Sequence, residues 1–404
     1  CEKRAGVEHD FEKDGLDLII RDGRLTANGT TLGGDNGVAV ALMLMVLDDD
    51  EIEHPPVECV FTTEEEVGLN GAKALDKSVL KARTMINMDS EDEGVATVSC
   101  AGGLRVQFTK EIKRTTVQGS LLTLKVEGLL GGHSGQDIDK ERQNADLLMA
   151  RMIQRLLKET KGQLVSFNGG TKDNAIPREC EASLIYESDE EAAKAEELAC
   201  ELAETYAEEL TPAEPDFSCE ISCETNRTAE AIPQDAAKEF ICAMRLAPNG
   251  IQKRNIKMDG FVVVSLNLGV VRTEEDRIVM IFSPRSSVAS LQEDTKERLN
   301  TLAETFGFTV SHSSEYPGWS FKEDSPVREI CKESYKELFG EDLKIEAIHA
   351  GLECGLFSDA IKGLDAIAIG PTIANCHTPD EYLTLDSFER FYEFLKDILS
   401  RLAK

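Results

Sequence analysis

Along the first hundred residues, short β-rich apolar runs alternate with helical patterning. The runs at 57–61 and 84–88 read as strands, and 37–47 reads as an apolar helix of small and long side chains. This alternation predicts α/β layering over a mostly parallel central sheet. After Cys100-Ala101-Gly102-Gly103 the texture changes. The segments 121–127 and 181–186 alternate apolar and polar positions as half-buried strands do. Residues 146–158 place Leu147, Leu148, Met152 and Leu156 on one helical face. Ser188-Asp189-Glu190-Glu191 has the spacing of a capping box, with Ala195, Leu198, Ala199, Leu202 and Tyr206 forming the stripe behind it. Strand runs at 261–268 and 278–282 then precede a helix over 291–306.

The α/β texture returns toward the C-terminus. Ser325-Pro326 opens a helix that Gly340 closes, and 364–369 reads as a buried strand. Phe388, Phe391, Tyr392, Leu395, Leu399 and Leu402 give the terminal helix its apolar face. The two ends of the chain are alike and the middle looks inserted. We therefore expect one domain built from residues 1–104 and 314–404, interrupted by an α+β domain over 105–313.

Charge narrows the function. Of 404 residues, 75 are Asp or Glu and 44 are Lys or Arg, a net charge of −31. Such a chain repels the phosphates of nucleic acid and of anionic lipid, which excludes both as expected partners. No apolar run approaches the roughly 18 residues of a membrane-spanning helix, and Cys1-Glu2-Lys3-Arg4 is not followed by the apolar stretch of an export signal. The 11 cysteines are scattered without a C-x-x-C pair, as expected of reduced thiols in a cytoplasmic protein. Most of the acidic run from Glu179 to Glu224, where Lys194 is the sole base, reads as a solvated helix face.

Four places carry candidate chemistry, each at the end of an expected strand or the start of a helix, where open α/β sheets bind ligands. Asp35 lies in Gly33-Gly34-Asp35-Asn36-Gly37, the triplet Glu64-Glu65-Glu66 follows the run at 57–62, Asp89 follows 84–88, and His377 follows 364–369. Taken singly, Asp35 reads as a helix N-cap and the glutamates as a charged turn. If the four converge, their carboxylates repel one another unless a cation joins them, and oxygen donors with one imidazole suit Zn²⁺ or a similar first-row ion.

The strings TTLGGDNG, EEEVGLNGA, INMDSEDEG, GGHSG, FNGGTKDNAIPRE, YPGW, AIHAGLECGLF and CHTPDE, in this order, resemble the M20 metallopeptidases, in particular their aminoacyl-histidine (Xaa-His) dipeptidase branch. The resemblance spans essentially the whole chain. It implies a zinc-peptidase-like catalytic domain interrupted by a lid domain that also forms a homodimer, two Zn²⁺ per subunit (Mn²⁺ or Co²⁺ as substitutes), and dipeptide substrates. It also implies roles for individual residues. Asp35 bridges the metals, Glu66 and His377 complete one site, and Asp89 serves the other. Glu65 is the general base, His133 stabilises the oxyanion, and Asn174, Arg285 and Glu353 hold the ends of the substrate, Arg285 as a cationic fork for its carboxylate.

One family feature has no counterpart. A His-x-Asp motif that precedes the position of Asp35 in the family is missing, and only His9 stands upstream. We expect from this an N-terminally incomplete catalytic domain that binds one metal well and the second poorly, with an exposed sheet edge and a tendency to aggregate. Of the other histidines, His9, His54 and His312 read as surface residues, while His349 is a candidate to line the site. Two other readings stay open: a different M20 amidohydrolase, such as a tripeptidase or deacylase, and a non-catalytic dimeric binding protein. A binder has no need of a base beside a ligand, so the intact Glu65-Glu66 pair argues for the enzyme.

Overall fold

In the computed structural model, which describes residues 1–256 and 260–404, the chain divides into two units. The first comprises residues 1–100, 318–348 and 352–404, the second residues 101–317 and 349–351.

In the first unit, Lys344–Ile348, Val95–Cys100, Asp365–Ala368 and Thr84–Asn87 form a four-stranded sheet in that order. The outer pairings are parallel, and the central one, Ala368 opposite Thr97, is antiparallel. The run at 57–61 forms no strand, contrary to its pattern. Apolar β-branched residues favour extended backbone, but a ladder also needs a neighbouring strand, and this segment joins neither sheet of the unit. A second, antiparallel sheet holds Leu18–Arg21, Arg24–Ala27, Tyr382–Thr384 and Ile373–Ala374. Its hairpin turns at Asp22-Gly23, whose φ values of 51° and 72° suit a tight two-residue turn.

The apolar helix runs over Gly34–Asp48 and buries Val38, Ala39, Leu42 and Val46. Its regular part starts after Asp35 and Asn36, which both have non-helical backbone. Asn36 Oδ1 accepts the N–H of Ala39 at 3.1 Å, so Asn36 caps the helix and Asp35 is released from that role. Helix Pro326–Phe339 starts and stops as its sequence predicts: Ser325 Oγ accepts the N–H of Arg328, and Gly340 leaves the helix at φ 75°. Against it lies the terminal helix Leu385–Leu402, with Tyr335 and Phe394 edge to face at 5.2 Å.

The second unit is built on a nine-stranded, wholly antiparallel sheet. Strand Thr115–Glu127 shows why its sequence alternates: Ser120, Leu122, Leu124 and Val126 are buried and their neighbours are not. Helices Ala145–Glu159, Asp189–Leu210, Gln234–Leu246 and Ala289–Thr305 contribute to the same apolar core. The capping box at Ser188 does not close. Ser188 occupies the N-cap position without a side-chain bond, and the box glutamate, Glu191, accepts the N–H of Lys161 at 3.1 Å. The result is an inserted α+β unit within an α/β chain, the class that the patterning predicts.

Candidate metal centre and substrate-binding residues

Asp35 stands on the turn between Leu32 and the regular helix, with Gly33 at φ 70°. The turn is held by Glu381, a residue given no role by the sequence reading. Glu381 is buried at 2% exposure and accepts the N–H groups of Leu32 (2.8 Å), Gly33 (2.9 Å) and Asp35 (3.2 Å). The signal available in sequence was an acidic residue four positions after His377, which has no meaning until the turn lies beside it.

His377 sits in the loop between Ile373–Ala374 and Tyr382–Thr384, in left-handed backbone at φ 63°. That conformation is costly for a residue with a Cβ and is found where surrounding structure fixes a functional side chain. Its Nε2 lies 2.7 Å from Glu66 Oε1 and 3.2 Å from Asp35 Oδ2. The hydrogen bond to Glu66, then the charge of the two carboxylates, raises the imidazole pKa. One donor atom from each of Asp35, Glu66 and His377 falls within 4.8 Å of the others. A second group of the same compactness, unforeseen from sequence, joins Asp35 to Glu91 and Cys376.

The neighbouring carboxyls feel the crowding. Burial, and then the charges of Glu66, Glu353 and Asp35, lift the Glu65 pKa to about 6. Asp89 is pushed to about 7 by burial and by Asp35 and Glu65, while its Oδ1 accepts Asn36 Nδ2 at 3.0 Å. Glu353, at the start of helix Glu353–Ala360, accepts Thr62 Oγ1 at 2.8 Å and belongs to the same acidic group. A set of close, partly buried carboxyls with one imidazole is poorly stable as bare charge and fits a divalent cation. The structure thus brings Asp35, Glu65, Glu66, Asp89, Glu353 and His377 together. Among the described residues no imidazole joins Asp35 and Asp89 in such a donor group.

The remaining candidates lie in the second unit. His133 ends the short strand Gly132–His133, and its Nδ1 accepts the N–H groups of Gln136 (3.0 Å) and Gly135 (3.3 Å). With Nδ1 occupied as an acceptor, the neutral ring carries its proton on Nε2 and can donate there. Burial, then Arg285, lowers the His133 pKa and favours that neutral form. Asn174 lies in an exposed turn whose carbonyl accepts Ser134 N–H at 2.8 Å, next to His133. Asn267 fixes this turn by donating to the carbonyls of Asp173 and Ala175. Arg285 belongs to strand Arg277–Ser286, is 7% exposed, and donates from Nη1 to Tyr316 Oη at 2.9 Å. His349 is equally buried, bonds Ser265 Oγ at 2.7 Å, and is held neutral by burial and Arg285, its pKa falling to about 3. His54 and His312 are exposed, whereas His9 is half-buried against Phe11.

Known proteins resemble this chain over nearly its whole length. It is 34% identical over 407 aligned residues to the cytosol non-specific dipeptidase of Escherichia coli, covering 99% of this chain and 83% of that protein. The crystal structure of aminoacylhistidine dipeptidase from Vibrio alginolyticus superposes with a TM-score of 0.94 at 35% identity, over 99% of this chain and 82% of that one. Aminopeptidase PepT from Bacillus cereus shares the fold more distantly, with a TM-score of 0.51 and 16% identity over 97% of this chain and 77% of its own. No helix among the described residues is long and apolar enough to cross a membrane. The sequence pattern of peptidase family M20/M25/M40 matches residues 6–401, and the chain belongs to that family.

Proposed function

We propose that this protein is a metal-dependent dipeptidase of the cytoplasm, with a broad preference that includes aminoacyl-histidine peptides. The observation that carries this reading is the meeting of Asp35, Glu66 and His377 donors within 4.8 Å, with Glu65 beside them. The family membership and the two dipeptidases above support it. In this reading the first unit holds the metal and the inserted unit serves as lid and as the surface for homodimerisation.

Asp35, Glu66 and His377 would hold one Zn²⁺, and Asp35 with Asp89 a second, Mn²⁺ or Co²⁺ being substitutes for either. Bound zinc lowers the pKa of water toward ~7 and polarises a carbonyl oxygen. Glu65 takes the proton of the attacking water, for which a carboxylate of raised pKa is suited, and returns it to the departing amine. His133 donates its Nε2–H to the oxyanion. Arg285 receives the terminal carboxylate of the peptide through a planar pair of N–H groups. Glu353, in the acidic group, offers its charge to the free ammonium at the other end, and Asn174 adds an amide to the substrate contacts.

The test is zinc titration of the metal-free protein, followed by hydrolysis of a β-alanyl-histidine or alanyl-histidine peptide. One tight and one weaker binding step are expected, since among the described residues no imidazole joins Asp35 and Asp89 in a compact donor group. His377→Ala should remove the tight step. Hydrolysis that persists after exhaustive chelation would refute the metal-dependent reading.

A further inference from the structure

Three sequence stretches that the proposed reaction leaves without a task meet at one phenol in the second unit. They are Tyr316 of the Tyr316-Pro317 pair, Gly103 of Gly102-Gly103, and Gly351 of His349-Ala350-Gly351. Strand Gly102–Glu111 runs between Arg277–Ser286 and Thr309–Tyr316, and in its register Gly103 is opposite Arg285 on one side and Tyr316 on the other. The arginine and the tyrosine therefore reach each other across a position that has no side chain. A Cβ on Gly103 would lie 2.8 Å from Tyr316 Oη, and one on Gly351 would lie 2.8 Å from the ring at Cε2. Both glycines make room for the phenol.

Tyr316 accepts Nη1 of Arg285 at 2.9 Å. Arg285 is 7% exposed as a residue, yet its Nε finds no acceptor among the described residues. A buried cationic donor left unbonded is costly, and such a group is satisfied by an incoming anion. With Nη1 pinned, the edge formed by Nε and Nη2 is the free fork, whose two parallel N–H groups match a carboxylate. His349, buried alongside and bonded to Ser265, adds no competing positive charge.

We propose that Tyr316 is a positioning residue that fixes the plane of the Arg285 guanidinium so that its Nε edge meets the C-terminal carboxylate of the peptide. The phenol thereby makes the enzyme select peptides with a free C-terminus. This inference rests on the assignment of Arg285 to that carboxylate in the proposed function.

The experiment is steady-state kinetics of the zinc-loaded protein on a dipeptide and on its C-terminal amide, with Tyr316→Phe, Arg285→Ala and the double variant. Tyr316→Phe keeps the ring in its glycine-lined notch and removes only the hydroxyl. It is expected to raise KM for the acid about tenfold, to leave kcat within about twofold, and to leave the amide unaffected. The double variant should match Arg285→Ala, because without the guanidinium the phenol has nothing to orient. Gly103→Ala, which crowds the phenol directly, should reproduce the pattern of Tyr316→Phe. Equal loss on acid and amide, or a fall in kcat alone, overturns the positioning role. If Arg285→Ala erases discrimination between acid and amide while Tyr316→Phe does not, only the role of Tyr316 is lost. If Arg285→Ala itself leaves discrimination intact, the carboxylate assignment fails and this inference falls with it.

Discussion

Glu381 grips the peptide N–H of Asp35 at 3.2 Å, although 346 positions separate them in the chain. Its other oxygen takes two earlier N–H groups of the turn, from Leu32 and Gly33. One buried carboxylate thus fixes the backbone from which the proposed bridging ligand projects, and it lies four residues beyond His377, the ligand it must face. The arrangement couples two remote loops through ionic hydrogen bonds, which are stronger than neutral ones.

Glu381→Gln should weaken metal binding without removing any ligand. An amide presents one acceptor oxygen where the carboxylate presents two, and turns its NH₂ toward a backbone donor. Partners that orient ligands typically contribute about ten- to hundredfold in affinity, and a loss of that size is expected in zinc competition against a chromophoric chelator. Wild-type affinity in the variant would show that the turn holds itself.

Glu65→Gln separates binding from chemistry. The amide cannot take a proton from water, so kcat should drop by about 10²- to 10⁴-fold. Zinc affinity should stay near that of the parent protein, because Glu66 and not Glu65 belongs to the compact donor group. Comparable loss of both properties would reassign Glu65 as a ligand.

Asp146 makes stability depend on pH. It is wholly buried in the core of the second unit beside Cys180, and Gly169 is the residue that gives it room. Burial raises its pKa from 3.8 to about 8. Between these two values the folded protein keeps a proton that the unfolded chain releases, so stability declines as pH rises from about 4 to about 8. Asp146→Asn should flatten that slope and gain up to about 5 kcal/mol at pH 8. Urea unfolding across this range measures it, and parallel profiles for the two proteins would contradict the assignment.

Helix Gly34–Asp48 leaves Val40, Leu44 and Leu47 at 42%, 55% and 56% exposure on one face. An apolar stripe of this kind promotes association. The double variant Leu44→Glu/Leu47→Lys should lower light scattering at high protein concentration while changing unfolding free energy by no more than about 1 kcal/mol. Unchanged scattering would show that this stripe does not drive association.

Much of this protein is legible along the chain. Period-two alternation marked the strand holding Leu122, Leu124 and Val126, and Ser325-Pro326 with Gly340 marked both ends of a helix, because these signals depend only on neighbouring residues. The types of the candidate ligands were equally plain, since carboxylates, imidazoles and thiols are the side chains that chiefly bind zinc-like ions. Other features depended on partners distant in sequence. The run at 57–61 had strand chemistry but no strand beside it. The box at Ser188 lost its glutamate to Lys161, and Asn36 rather than Asp35 became the cap. Residue identity by itself determined what could be ligated, capped or buried. Only the tertiary structure decided that His377 meets Asp35 across 342 positions, that Glu381 grips the turn, and that Tyr316 reaches Arg285 over Gly103. Hydrogen bonds and desolvation act through space at a few ångströms, and local patterning carries no record of which remote segments folding will bring within that range.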